Sequence, residues 1–183
     1  MMPAGRNRSM RLSGKTVAML VEADYQDLEV WYPLLRLREE GARVLVVGTG
    51  SAKSYRGKYG YPIDAETTAA EVNPRELHGI VVPGGWAPDR LRQHDSVLRL
   101  VKSVSDAGGV IACICHGGWV LASADVVRGR RLTCFRAIRD DMANAGATVV
   151  DEECVRDGCL VTARKPDDLP AFMRVTIQAL AGD

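Results

Sequence analysis

Four predominantly apolar runs, rich in Val and Ile, recur along the chain and are separated by segments whose apolar residues follow helical spacing. The runs cover residues 15–21, 42–47, 79–82 and 110–114, and the clearest helical segments cover 27–40 and 96–107. Strands that are apolar throughout are buried on both faces, as in a parallel sheet covered by helices. The pattern therefore predicts an α/β fold with a mostly parallel sheet sandwiched between helices.

The second half of the chain continues this pattern with shorter elements. It predicts a helix at 116–124, a strand at 132–134, a helix at 138–145, a hairpin at 154–163 and a closing helix at 167–180. Asp167 is the expected N-cap of that last helix. Residues 51–65 are rich in Gly, Lys, Tyr and Pro and predict an excursion from the main pattern, with a hairpin as one form it can take.

Cysteine usage indicates a reducing compartment. The chain has five cysteines, an odd number that suits free thiols, so the cytoplasm is the expected location. Cys154 and Cys159 flank Asp157-Gly158, the expected two-residue turn of the hairpin. That turn places Cys154 opposite Val161 and only diagonal to Cys159, too far for a disulfide.

Length and charge limit the remaining possibilities. The 183 residues can bury one sizeable core, so a single domain over residues 13–183 is expected. Residues 1–12 contain three arginines without an apolar segment behind them, and we expect a disordered arm there instead of a signal peptide. The net charge of +1 gives no electrostatic attraction to nucleic acid or to an anionic membrane, and no apolar stretch reaches the length of a membrane span.

No cofactor and no metal are expected. His78, His94 and His116 are scattered along the chain, and no pair of Cys or His residues has ligand spacing apart from Cys113 and Cys115. Those two cysteines are separated by the predicted end of a strand, so they do not suit one metal ion.

Cys115 is the strongest candidate for a reactive group. It follows the apolar run 110–114 directly, and His116, Gly117 and Gly118 come after it. A cysteine at a strand-to-helix turn is raised above the sheet, and the helix dipole is expected to stabilise its accessible thiolate. The alternative is that Cys115 is an ordinary core residue. Cys113 lies inside the strand and is expected to be packed and unreactive.

Two other segments are expected near this cysteine. In a parallel sheet, ligands bind beyond the carboxyl ends of the strands, and Gly84 and Gly85 follow one strand while Glu29 follows another. The two glycines can turn N–H groups toward an oxyanion forming near Cys115. The alternatives are a plain turn at the glycines and a solvated acid at a helix start.

Several motifs, in order and spacing, closely resemble the PfpI family of intracellular cysteine peptidases. The resemblance covers about residues 14–181 and places the chain in the wider superfamily with ThiJ and the parkinsonism-associated deglycase. It implies a flavodoxin-like fold of the class I glutamine amidotransferase type. The motifs are VPGG at 82–85, APDR at 87–90, ICHG at 114–117, DDM at 140–142, NAG at 144–146 and RKPDDLP at 164–170.

By this resemblance, Cys115 is the nucleophile and His116 the adjacent base. Asp89 matches an acid with which the family orients the histidine from a neighbouring subunit, so a homo-oligomer is implied. From the residues alone, His116 is not guaranteed to face Cys115, because adjacent helical residues point apart. The alternative makes His116 a helix-cap residue and Asp89 a charge on a short helix.

The resemblance also assigns a role to Glu29 and shows departures from the family pattern. Glu29 matches the family acid beside the cysteine, where a protonated carboxyl can donate to the thiolate and lower its pKa. Gln26 stands where close relatives often have a second acid. Phe135 stands where relatives often have tyrosine, which removes a hydroxyl donor near the pocket.

Two functions of different classes are compatible with these residues. The first is a cysteine-dependent hydrolase in which Cys115 attacks a carbonyl and the N–H groups of Gly85 and Gly117 hold the oxyanion. Its substrate would be a peptide, or methylglyoxal and its adducts, as described for family deglycases and glyoxalases. The alternative is a stress chaperone or redox sensor in which Cys115 is an oxidisable thiol.

Overall fold

A computed structural model describes residues 10–183 and confirms the α/β fold, with a mostly parallel sheet between helices. The strands are β1 (Thr16–Leu20), β2 (Arg43–Gly48), β3 (Ser54–Arg56), β4 (Pro62–Asp64), β5 (Thr67–Thr68), β6 (Gly79–Val82), β7 (Val110–Ile114), β8 (Arg131–Leu132), β9 (Thr148–Val149), β10 (Cys154–Asp157) and β11 (Leu160–Ala163). The helices are α1 (Asp27–Glu39), α2 (Ala87–Leu91), α3 (Asp95–Asp106), α4 (Gly118–Ser123), α5 (Arg139–Asn144) and α6 (Leu169–Ala181).

The main sheet brings three strand ends together. Its order is β10-β11-β7-β6-β1-β2-β5, and every neighbouring pair is parallel except β10 with β11. β6 lies between β1 and β7, with Val17 beside Gly79 and Val82 beside Cys113. Because parallel strands end at the same edge, the segments that follow β1, β6 and β7 meet there.

Helices cover both faces of this sheet. α1 packs against α6, and α3 packs against α4. α3 shows why such helices form, because its buried residues recur every three or four positions, and each buried aliphatic side chain contributes roughly 1.5–3 kcal/mol. These residues are Val97, Leu100, Val101 and Val104. Within residues 10–183, no helix combines the length and the apolar character needed to cross a bilayer.

Two local predictions in the second half are wrong. Asp157 pairs with Leu160 and Cys154 with Ala163, so the hairpin turn is Gly158-Cys159 and the register differs by two residues. This register makes Gly158 the first central residue of the turn, where its φ of +60° suits a type I′ or II′ turn, and not the second as predicted. Cys154 and Cys159 both have free thiols.

The closing helix begins at Leu169, after a 3₁₀ turn at Pro166–Asp168, and not with Asp167 as its N-cap. The flanking residue is Asp168, whose carboxylate accepts hydrogen bonds from the backbone and the guanidinium of Arg164. This carboxylate is therefore directed backward to the preceding strand, and the helix start has no side-chain cap.

The predicted N-terminal arm falls mostly on residues 1–9, which lie outside the described part of the chain. Its last residue, Leu12, is fully buried, and its N–H donates to the carbonyl of Glu40. The packed domain therefore starts before residue 13.

Residues 51–65 contain the hairpin β3–β4, which is the form suggested for this segment by the sequence. Its connecting loop, residues 57–61, is anchored on Asp27 at the start of α1, whose carboxylate accepts the N–H groups of Tyr59 and Tyr61 at 3.0 and 3.1 Å. Gly57 makes this contact possible, because a Cβ there would lie 2.4 Å from the Asp27 carboxylate. The anchor holds Lys58 close enough to influence the groups at the carboxyl edge of the sheet.

Candidate active site

Cys115 has a strained backbone at the point where β7 ends. Its φ is +62°, and the chain passes directly into a 3₁₀ turn, Cys115–Gly117, before α4. A left-handed conformation at a residue with a side chain costs about 1–3 kcal/mol and persists only where the surroundings impose it. The side chain lies against Gly84, where an added Cβ would come within 3.0 Å of the sulfur.

Glu29 lies on the other side of Gly84. It is fully buried in the first turn of α1, and its Oε2 accepts the Gly84 N–H at 2.7 Å. Its Oε1 is also buried and has no hydrogen-bond partner among the described residues. Burial raises the pKa of Glu29 to about 7, opposed by the Gly84 N–H, the Cys115 thiol and Lys58. Glu29 can therefore exchange a proton near neutral pH, and Oε1 is the oxygen available to take it.

The surroundings of Cys115 favour the neutral thiol over the accessible thiolate expected from the sequence. Its residue is only 7% exposed, and burial together with the Glu29 carboxylate raises the pKa of the thiol to about 12. The N–H groups of His116 and Gly85 oppose this increase by bonding to the sulfur. Desolvation outweighs these donors and the dipole of the short helix α4. A base must therefore remove the proton when the sulfur reacts.

His116 faces the sulfur although it is the next residue in the chain. Its Nδ1 lies 3.3 Å from Cys115 Sγ, because the 3₁₀ turn and the positive φ do not separate neighbours as an α-helix does. The ring stacks on Phe135 at 4.6 Å and meets Trp119 edge-on at 5.2 Å. Burial lowers the pKa of His116, and Lys58 adds to this, which favours the neutral imidazole that can accept a proton.

The glycines predicted as oxyanion donors have different roles. The Gly84 N–H is already bonded to Glu29, which is a correction to the expectation that it serves an oxyanion. Gly85 presents its N–H to the sulfur. Its φ of +77° requires glycine, as does the Asp24 carbonyl, which would lie 2.4 Å from a Cβ added there. Gly117 packs tightly against the Cys113 sulfur, where a Cβ would lie 2.8 Å away.

Comparison with known proteins assigns the family. The sequence profile described as the DJ-1/PfpI family matches residues 15–179. The chain belongs to the DJ-1/PfpI family. It is 42% identical to a deglycase of Pyrococcus abyssi over 88% of this chain and 98% of the relative, and 39% identical to the deglycase PfpI of Pyrococcus furiosus over 90% and 98%.

A solved structure shows the same fold. A two-domain protein of Anabaena variabilis, with DJ-1/ThiJ/PfpI-like and ferritin-like domains, superimposes with a TM-score of 0.89 and is 38% identical. The match covers 91% of this chain and 48% of that chain.

Asp89 is the residue predicted, by the resemblance, to orient His116 from a neighbouring subunit. Asp89 is exposed on α2 and forms no hydrogen bond with His116 within residues 10–183 of one chain. It lines an open cleft of about 700 Å³ together with Trp86 and Trp119, which also surround His116. The role of Asp89 across a subunit boundary stays a prediction.

Gln26 and Phe135, two of the residues expected to depart from the family pattern, have structural roles. Gln26 caps α1, with its side-chain oxygen accepting the Leu28 N–H at 2.7 Å. Phe135 supports the His116 ring, and its N–H donates to the Cys115 carbonyl at 3.3 Å. The part of the chain that the structure describes contains no group of three or more His, Cys, Asp or Glu arranged to hold a metal ion.

The sequence did not point to two contributors to this site. The backbone N–H of His116 donates to the sulfur, which depends on the φ of Cys115 and has no sequence signal. Lys58 acts on both Glu29 and His116 from the β3–β4 loop, whose position depends on the Asp27 anchor.

Proposed function

We propose that this chain is a cysteine-dependent deglycase or glyoxalase acting on methylglyoxal and its adducts. The observation that carries the proposal is the placement of Cys115 Sγ, at a strained strand end, between Glu29, the Nδ1 of His116 and the N–H of Gly85. A nucleophile, two acid–base groups and an oxyanion donor are the parts that addition to a carbonyl needs. Relatives at 39–42% identity that are named deglycases support the same activity.

In the first step, Sγ forms a bond to the aldehyde carbon. The thiol proton passes to Glu29 or His116, and the carbonyl oxygen becomes an oxyanion that accepts the Gly85 N–H before it is protonated. Because the pKa of Cys115 lies well above that of Glu29, proton removal accompanies the attack and does not precede it. The product is a hemithioacetal.

The second step moves a proton from the carbon that carries sulfur to the adjacent ketone carbon by way of an enediol. The aldehyde carbon is thereby oxidised to a thioester and the ketone is reduced to an alcohol, with no external oxidant. Glu29 suits this shuttle because its pKa of about 7 lets it give and take a proton. Water then cleaves the thioester, which releases a 2-hydroxy acid and restores the thiol.

Peptide hydrolysis requires one feature that residues 10–183 of a single chain do not provide. A leaving amine must be protonated, which calls for an oriented His116, and Asp89 has no bond to that ring within the described residues of the chain. Orientation by Asp89 would come from assembly into a homo-oligomer. Methylglyoxal chemistry needs no such orientation.

The surroundings of the sulfur favour an enzyme over the redox-sensor alternative. A sensor thiol needs no base, whereas Cys115 is almost completely buried and has Glu29 and the Nδ1 of His116 beside it. The thiol is suited to reaction with a bound electrophile beside its base.

Parallel assays test the proposal with purified protein on methylglyoxal, a methylglyoxal-modified thiol and casein. We expect turnover of the first two substrates and its loss in Cys115→Ser, with an unchanged thermal transition. Undiminished turnover in Cys115→Ser, or activity on casein alone, would contradict the proposal.

A further inference from the structure

A second cleft, of about 350 Å³, is lined in part by Phe135, the residue that stacks on His116. Its floor and walls include apolar groups, namely Cys134, Phe135 and Val150, and its rim is strongly basic. We call it the arginine cleft. The remaining lining residues are Arg136, Arg139, Asp151, Arg164 and Lys165.

The charges of the rim are not balanced by its own acids. Arg164 is paired with Asp168 and Asp151, and Lys165 with Asp167. Arg136 and Arg139, by contrast, form no ion pair within the described chain, and both also border an adjoining depression with Asp140. Two guanidinium groups are thus available to an incoming anion.

The positive charges of these arginines affect the pKa values of other residues that line the cleft. Burial raises the pKa of Cys134 to about 11, and the positive charge of Arg139 opposes this increase. Hydrogen bonding and charge from Arg164, with Arg139 and Arg136 adding, hold the pKa of Asp151 below its usual range. Among the described residues, Asp151 is the one acid in the lining of this cleft, and its carboxylate is already held by Arg164 at 2.7 Å.

Arg136 and Arg139 are three positions apart in one continuous helical segment, the spacing that puts side chains on the same face. Guanidinium forks match the terminal oxygens of a phosphate and bind it through several charge-assisted hydrogen bonds. A carboxylate offers fewer oxygens and half the charge. The volume of the cleft is within the range of small-molecule pockets. Its apolar floor can therefore accommodate the organic part of a ligand.

We propose that the arginine cleft binds the phosphate group of a small organic phosphate, with the phosphate between Arg136 and Arg139 and the organic part against Phe135 and Val150. The proposal does not depend on the activity of Cys115. It adds a binding site that shares only the Phe135 wall with the catalytic groups.

The test measures binding of adenosine 5′-monophosphate and of inorganic phosphate by calorimetry at low salt. We expect the nucleotide to bind more tightly than phosphate, and Arg136→Gln/Arg139→Gln to weaken nucleotide binding at least tenfold, on the order of one charge-assisted hydrogen bond. Cys115→Ser should bind the nucleotide as the wild type does, which separates this result from the proposed catalysis.

The matched control is Arg43→Gln/Arg99→Gln, which removes two exposed arginines outside the cleft and makes the same change in net charge. An unaltered affinity in the control supports the site. Equal weakening in both double variants would show a general effect of charge and overturn the proposal, as would the absence of nucleotide binding to the wild type. Equal affinity for nucleotide and phosphate would overturn the assignment to an organic phosphate.

Discussion

Cys113 lies inside β7 and Cys115 follows its end, and both residues are almost completely buried, at 3% and 7% exposure. Burial raises the pKa of both thiols. Cys113 is flanked in the sheet by Val82 and Thr162 in regular register. Cys115 instead has a left-handed backbone and is surrounded by acid–base groups and N–H donors.

The comparison shows that burial and pKa do not separate a structural cysteine from a candidate nucleophile. The difference lies in the backbone conformation and in what surrounds the sulfur. A thiol that is protonated at rest is reactive only if a base lies beside it, and Cys115 has two such groups.

The largest expected contrast is between Cys115→Ser and Cys113→Ser. Cys115→Ser should reduce methylglyoxal turnover at least about a thousandfold, because the nucleophile is lost, with little change in stability. Cys113→Ser should keep turnover per folded molecule and lower the free energy of unfolding by about 1–3 kcal/mol, because it places a polar hydroxyl at a buried position inside the strand. Turnover and urea unfolding of both variants provide the measurement, and similar profiles for the two would remove the distinction.

Glu29→Gln tests the base beside Cys115. We expect turnover to fall about a hundredfold, and the acid limb of the pH profile near pH 7 to disappear, because an amide cannot accept the proton. A retained limb near pH 7 would assign the titration to another group.

The same variant should change stability in a defined pH window. The pKa of Glu29 is raised in the folded state to about 7 from an ordinary value of 4.5, so the native state binds the proton more tightly than the unfolded state. The wild type should therefore lose stability relative to Glu29→Gln as pH rises from 4.5 to above 7, by an amount on the order of 3 kcal/mol. Urea unfolding at intervals across that range gives the difference, and parallel curves would refute it.

His116→Phe distinguishes the contribution of His116 to turnover from that of Glu29. Phe keeps an aromatic ring against Phe135 but removes the Nδ1 that lies 3.3 Å from the sulfur. If Glu29 is the main base, turnover should fall only about tenfold, and the acid limb should remain. A loss as large as that of Glu29→Gln would give His116 the principal role.

Lys58→Met should have the smallest effect. The charge of Lys58 lowers the pKa of both Glu29 and His116, so its removal should raise both and move the acid limb upward by a few tenths of a pH unit. Lys53→Met, on the same hairpin, is the matched control because Lys53 does not influence the pKa of either group. Identical pH profiles for the two variants would show that Lys58 is too distant to matter.

The sequence predicted the fold well because its signals were long and repeated. Continuous apolar runs and helical spacing identified the central strands and the main helices to within one or two residues. Local choices were less predictable. The position of the Gly158-Cys159 turn depends on the φ angle of Gly158. The helix α6 has no side-chain cap because the carboxylate of Asp168 binds Arg164 instead.

The residues of the site could be predicted from the sequence, but the protonation state of its cysteine could not. Position in the sheet and family resemblance together placed Cys115, Glu29 and His116 near one another, and the structure brings them together. The raised pKa of Cys115 could not be foreseen, because it depends on how completely Gly84 and the neighbouring strands exclude water from the sulfur.

The anchoring of the β3–β4 loop on Asp27 has an evolutionary consequence. The loop supplies a positive charge to the site while contributing no strand to the main sheet. An insertion, deletion or sequence change in this loop could therefore retune the acidity of Glu29 and His116 while the fold and the sulfur stay as they are. Divergence of reactivity among proteins with this scaffold can begin at the surface, far along the chain from the nucleophile.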